Sequence, residues 1–213
     1  MISRRLDDRG QAFPIYIVVV AGLLFAALAF VVVGMAGVTR SNAQGAADAA
    51  ALAAARDARD NAFLGLDLLS LKPADWEAIV NGDLLKGDGA CVRAAHFATL
   101  NDATQTDCEP GVREFTVWVT TNGTVGKSVV PGSDVKGEAT AKARIEPRCT
   151  LRSAPTPAPT PTPAPTQTPG PSPSPGAGGV TFVCNGKPLT LDPAKPGPLS
   201  QLTRALFSVR LVG

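Results

Sequence analysis

Residues 11–39 lack any charged side chain, and this absence is the strongest signal in the chain. Val, Ile, Leu, Ala and Phe make up most of the run and occur on all sides of a helix formed here, so that helix has no polar face. A helix that is apolar all round must be buried, and a chain of 213 residues has no soluble core large enough to bury this one. A bilayer core of about 30 Å needs about 20 apolar residues. We therefore predict a single membrane-spanning helix over residues 11–39.

The basic residues that flank this run predict its orientation. Arg4, Arg5 and Arg9 precede it, whereas only Arg40 follows closely. Because Lys and Arg favour the cytoplasmic side, we expect a single-pass protein of the cell membrane with residues 1–10 in the cytoplasm and the bulk of the chain outside. A cleaved signal peptide that releases a secreted protein is the alternative. Its apolar region is usually about 7–15 residues long, which is shorter than this run, so retention is favoured.

Few residues are available for catalysis or metal binding. His96 is the only histidine, and no Cys or carboxylate stands at ligand spacing from it. Residues 123–128 end like a phosphate-binding loop, but Thr121 replaces the first glycine of that pattern. Residues 133–136 match S-x-x-K without its companion motifs. We predict no enzyme, no cofactor and no metal, and the formal charge of +2 indicates no nucleic acid partner. No small-molecule substrate is evident either.

The chain has no C-x-x-C pair, so the cysteine spacing does not indicate a zinc site or a thiol redox site. All of its cysteines lie on the predicted outer side, where an even number favours disulfides. Four cysteines allow three pairings, and the pairs 91–108 and 149–184 are favoured. The first closes a short loop, and the second attaches the C-terminal tail to the end of a predicted strand. The disulfide candidates are Cys91, Cys108, Cys149 and Cys184.

Residues 43–60 are rich in alanine, which has the highest helix propensity. Alanines recur every four residues and form two adjacent columns of methyl groups. Such a surface lets another helix approach closely, so one interpretation is a packing surface. The other is a spacer that lifts a domain off the membrane. The helix-packing candidates are Ala43, Ala47, Ala51 and Ala55, and the second column consists of Ala46, Ala50, Ala54 and Ala58.

The following residues indicate a small α+β domain with an antiparallel sheet. Short helices are predicted from Pro73 to about Leu85 and over residues 91–100, after a loosely helical stretch at 64–71. Residues 115–120 and 139–146 alternate between apolar and polar side chains, as half-buried strands do. Asn122-Gly123 followed by a strand at 124–130 predicts a tight hairpin.

Residues 153–175 have proline at nearly every second position, which predicts an extended insertion or linker that projects from the fold. The tail beyond it contains strand-like runs at 180–184 and 206–212 that are too short to form a core alone. The predicted division of the chain is a cytoplasmic N-terminus at 1–10, the membrane helix at 11–39, an extracytoplasmic Ala-rich helix at 40–63, an α+β ectodomain at 64–150, a disordered Pro-rich segment at 151–179 and tail strands at 180–213.

The region 7–60 resembles the N-terminal region of TadE/TadG-like Flp pilus-assembly proteins. The resemblance rests on Arg-Gly-Gln-Ala at 9–12, the apolar helix with Gly34 near its outer end, and the run Gln-Gly-Ala-Ala-Asp-Ala-Ala-Ala-Leu at 44–52. Val32 stands where that family often has an acidic residue. Pilin-type precursors carry Glu five residues after their cleavage glycine. Gly10 is the corresponding candidate processing site, and Ile15 occupies the Glu position.

The resemblance implies a membrane-anchored structural protein that serves in assembly or anchoring of an Flp-type pilus. Its expected partners are the lipid bilayer and other pilus-assembly or envelope proteins, or further copies of itself. The alternative function is an anchored cell-surface binding module whose Pro/Thr-rich stalk crosses a cell wall.

Overall fold

The computed structural model describes residues 12–124, 135–154 and 179–213. Its first element is one uninterrupted helix, α1 (Ala12–Asp60), of 49 residues. The most apolar 18-residue segment of α1 has a mean hydropathy of 3.0 and is not buried by the rest of the chain. By length and composition, α1 is the one helix of the described residues that is able to cross a membrane.

The remaining elements follow α1 as an α+β domain, which confirms the predicted fold class. The helices and strands are α2 (Pro73–Asn81), α3 (Ala90–Leu100), β1 (Ala103–Pro110), β2 (Glu114–Thr124), β3 (Lys136–Pro147), β4 (Cys149–Ser153), β5 (Val180–Cys184), β6 (Lys187–Leu191), α4 (Leu199–Leu206) and β7 (Phe207–Val212).

Four strands form an antiparallel sheet in the order β1-β2-β3-β7. The alternation predicted for residues 115–120 and 139–146 is present, because Phe115, Val117 and Ala143 point inward and are buried. The long helix α1 lies across this inner face, in contact with β2, β3 and β7. Strand β7 comes from the tail, so the last residues of the chain complete the first sheet.

The hairpin predicted at Asn122-Gly123 is wrong. Strand β2 continues through both residues to Thr124, which is opposite Lys136 of β3. The amide of Asn122 donates to the carbonyl of Asp102, and Gly123 does not have a positive φ. A tight turn at these two residues needs positive φ values. The hydrogen bond from the Asn122 N–H to the neighbouring segment at Asp102 favours extended backbone instead. Most of the strand predicted at 124–130 lies outside the described residues.

A second antiparallel sheet, in the order β4-β5-β6, was not predicted as a unit. Asn185 and Gly186 connect β5 to β6 with φ values of 50° and 78°. These left-handed dihedrals are those of a two-residue hairpin, for which Asn-Gly is the preferred dipeptide. Cys149 of β4 is directly opposite Cys184 of β5, and the two form a disulfide.

One hydrophobic core joins α1, both sheets and the short helices. Its largest side chain, Trp76 of α2, is fully buried and packs against Phe63 and Phe182, with ring centroids 6.4 and 6.1 Å away. Residues 180–213 therefore contribute to the same core as residues 43–63. The stretch at 64–71, predicted as loosely helical, forms turns between α1 and α2.

The alanine half of α1 is the centre of this core. Its alanines contact β2, β3 and the antiparallel helix α3. The N-terminal end of α3 lies beside Asp57, and its C-terminal end lies beside Ala46. Alanines on both helices allow this close approach, since α3 buries Ala90, Ala94 and Ala98. The fully or almost fully buried alanines of the two α1 columns are Ala43, Ala46, Ala47, Ala50, Ala51, Ala54, Ala55 and Ala58.

We expect Ala51→Leu to destabilise the domain by about 1–3 kcal/mol, because extra methylenes in a close-packed core force neighbours apart. The matched control is Arg56→Leu, five residues further along the same helix at an exposed position, where leucine retains helix propensity. Denaturant unfolding of the full chain, followed by the fluorescence of buried Trp76, measures both. Equal stability of the two variants would contradict a core role for the alanine columns.

Candidate interaction site where helix α1 leaves the domain

The side chains of α1 change from exposed to buried over a few residues. Val38 is exposed, Thr39 is half-buried and Ala43 is fully buried. At this junction, which we define as Thr39 and Ala43 of α1 with Gly137 of β3, the strand touches the helix. A β-carbon at position 137 would lie 2.7 Å from the Thr39 carbonyl oxygen and 3.2 Å from the Ala43 β-carbon. Only glycine fits between them without a shift of backbone.

Two open clefts flank α1 at the junction. The first has a volume of about 920 Å³ and lies on the side of Arg40 and Gln44. The second, of about 590 Å³, lies between α1 and the C-terminal end of α3. Thr120, Glu138 and Thr140 of the sheet also line the first cleft. The lining of both clefts mixes polar side chains with apolar ones such as Val119 and Ala139 in the first and Ala46 and Leu100 in the second.

The helix-packing candidates Ala43, Ala47, Ala51 and Ala55 all lie inside the domain, with no exposed surface. The elements that cover them belong to the same chain. Their burial differs from both sequence interpretations, since a spacer helix or a free packing surface would leave these side chains exposed. Another copy reaches these four side chains only if the domain releases α1, and association through them stays a prediction.

The structure joins the cysteines in the favoured pairs. Cys91 of α3 is bonded to Cys108 of β1, and Cys149 is bonded to Cys184. His96 lies on the exposed side of α3, edge-on to Phe97, with ring centroids 5.9 Å apart. Across residues 12–124, 135–154 and 179–213, no group of three or more His, Cys, Asp or Glu side chains is arranged to hold a metal ion. The candidate processing site Gly10 lies outside the described residues.

Ion pairs cover the outer face of the sheet, at the end away from the junction. Hydrogen bonds from Arg144, at 2.6 Å, and from Lys142, at 3.3 Å, lower the pKa of the Glu114 carboxyl. Arg210 of β7 likewise lowers the pKa of Glu146, and Glu146 raises the pKa of Arg210. These side chains are partly exposed, so they contribute little to stability. Their effect is to balance charge along β2, β3 and β7.

Gly137 is the junction residue that the sequence reasoning missed. The available signal was a glycine at the start of an alternating strand, since such a glycine often marks close approach of another backbone. Nothing in the local sequence indicates that the approaching group is Thr39, which lies far away along the chain.

We expect Gly137→Ala to destabilise the domain by about 1–3 kcal/mol, because the added β-carbon overlaps the Thr39 carbonyl. Gly123→Ala is the matched control: Gly123 is in the neighbouring strand, with no atom within 4 Å of the added carbon. That change should leave stability equal or slightly higher. Denaturant titrations of both variants measure the difference, and an unaffected Gly137→Ala variant would refute the tight junction.

Comparison with known protein families relates part of α1 to a described family. Residues 10–57 match the family model of Flp pilus-assembly TadE/G-like proteins. No curated protein and no solved structure matches the chain significantly. The matched residues begin just before α1 and end three residues before its last residue, Asp60.

The match therefore covers the exposed apolar half of α1, the junction on the helix side and the buried alanine columns except Ala58. The match does not extend to the residues that form the two sheets. Over this N-terminal region alone, the chain is similar to Flp pilus-assembly TadE/G-like proteins.

Proposed function

We propose that this protein is a membrane-anchored structural component of an Flp-type pilus apparatus, with residues 1–10 in the cytoplasm and the α+β domain outside. The observation that carries the proposal is that the family match covers almost the whole of helix α1 and no other element. Residues 10–57 contain both the apolar half of α1 and the alanine half that forms the domain core. The region shared with pilus-assembly proteins is thus the anchor together with the scaffold of the exported domain.

The orientation is supported by two independent features. Three arginines precede the apolar run, and Lys and Arg favour the cytoplasmic side. The domain carries two disulfides, and disulfides persist in oxidising compartments and are rare in the cytosol. Both features support a location of the domain outside the membrane.

The proposed role is mechanical. At about 1.5 Å per residue, the 49 residues of α1 extend about 74 Å without a break. Because the same helix spans the bilayer and forms the core of the domain, displacement of the domain moves the membrane segment with it. We propose that the outer faces of the domain contact other pilus or envelope proteins.

The alternative of a wall-crossing stalk has less support. The residues that flank the Pro-rich segment are in neighbouring strands, since Ser153 of β4 is opposite Thr181 of β5. The segment thus leaves and re-enters the domain at the same place. An insertion of this kind does not separate the domain from the membrane.

The topology is testable with intact protoplasts that carry a tag at either end of the full chain. Added protease should remove a C-terminal tag and spare an N-terminal one. Detergent-permeabilised protoplasts are the control, and both tags should be lost there. Loss of the N-terminal tag from intact protoplasts would refute the orientation.

The pilus role is testable by deletion of the gene. We expect pilin to disappear from sheared surface fractions, and the intact gene to restore it. Complementation with Gly123→Ala should restore pili, whereas Gly137→Ala should restore them less well because the domain is less stable. Undiminished pilin in the deletion strain would refute the assembly role.

A further inference from the structure

We propose that the end of the domain from which α1 emerges lies directly on the outer surface of the bilayer, in contact with phospholipid headgroups. We call this end the base, and it consists of residues 100–102, 121–124 and 135–138. The inference rests on the membrane anchoring proposed above and adds an interaction surface to it.

The first argument is that no spacer separates the apolar run from the domain. The run without charge ends at Thr39, and Thr39 is the residue whose carbonyl approaches Gly137. Gly37 lines the cleft that Glu138 and Thr140 of β3 also line. The sheet consequently reaches the level of the last apolar residues of α1. If these residues are at the membrane surface, the base is there too.

The second argument concerns the side chains that the base presents. Leu100, at the end of α3, and Val135, just before β3, are each 64% exposed. Leu100 lines the same cleft as Thr39 and Gly123, and Val135 precedes the residue paired with Thr124. Two exposed aliphatic side chains therefore flank the point where α1 enters the lipid. Burial of such side chains among acyl carbons is favourable in proportion to their apolar area.

The third argument identifies which lipids the base requires. Its cations are Lys136 and the neighbouring Arg40 of α1, and its acids are Asp102 and Glu138. Among the residues that the structure describes at this end, two charges of each sign leave no net attraction for an anionic surface. The long stems of Arg40 and Lys136 are able to reach headgroup phosphates while the aliphatic residues reach the acyl chains. The contact is therefore expected with zwitterionic phospholipid as well as with anionic phospholipid.

Tryptophan reporters test the contact in the full chain, reconstituted into bilayers whose acyl chains carry bromine, which quenches nearby indoles. Leu100→Trp and Val135→Trp report on the base. Val112→Trp is the matched control, since Val112 is 54% exposed between β1 and β2, at the opposite end of the sheet. Phe25→Trp, in the exposed apolar half of α1, reports on anchoring itself. The parent chain, with buried Trp76 and half-buried Trp118, gives the background.

We expect the loss of fluorescence to be largest for Phe25→Trp, smaller but clear for Leu100→Trp and Val135→Trp, and equal to background for Val112→Trp. The order should be the same in bilayers of phosphatidylcholine alone and with added phosphatidylglycerol. Both disulfides, checked by non-reducing peptide mapping, verify that each variant is folded.

The possible failures are distinguishable. Quenching at Phe25→Trp with none above background at positions 100 and 135 would overturn the contact and leave the anchoring intact. Absence of quenching at Phe25→Trp would overturn the anchoring as well. Quenching at the base only with phosphatidylglycerol present would overturn the inference that the base is electrically balanced.

Discussion

The packing of small side chains along the second half of α1 is the interaction on which the rest of the structure depends. The alanines at 43–58 have no side chain beyond the β-carbon, so β2, β3 and α3 approach the helix backbone closely. Each alanine buries little area, but eight of them in two columns provide a continuous apolar surface. A single larger residue in these columns would hold β2, β3 or α3 away from the helix. The rest of the core packs against these elements, so its packing would change too.

The continuity of α1 is the second constraint. The helix changes from an exposed apolar half to a half buried in the domain without a loop, so no hinge separates the two halves. The close approach of Gly137 to Thr39 adds a contact at the boundary. The domain is thus attached to the apolar half of α1 by the helix backbone and by the sheet.

The disulfides and the tail have a related role. Cys149–Cys184 joins β4 to β5, so the chain returns to the same sheet after the Pro-rich segment. The tail then supplies α4 and β7, and β7 extends the first sheet beside β3. A long insertion is tolerated here because loop-closure entropy grows slowly with length, and the disulfide limits the unfolded chain further.

The sequence by itself determined those features whose physical cause is local or depends on composition. An uncharged run specifies an apolar helix long enough to cross a membrane, strict alternation specifies the buried faces of β2 and β3, and alanine content specifies that α1 continues beyond the apolar run. The sequence favoured one of three cysteine pairings without determining it, and the structure joins those same pairs. The resemblance to TadE/G-like proteins agreed with the family match because it rests on the same contiguous helix.

Only the tertiary structure decided what lies against what. Two Asn-Gly dipeptides have opposite outcomes: Asn185-Gly186 takes the left-handed dihedrals of a turn, whereas Asn122-Gly123 stays extended. The difference is a partner distant in sequence, since the Asn122 amide donates to Asp102. Likewise, the alanine columns indicated close packing but not the packing partner. An alanine methyl group fits against any closely packed neighbour. The sequence of the alanine-rich helix therefore carries no information on which element covers it.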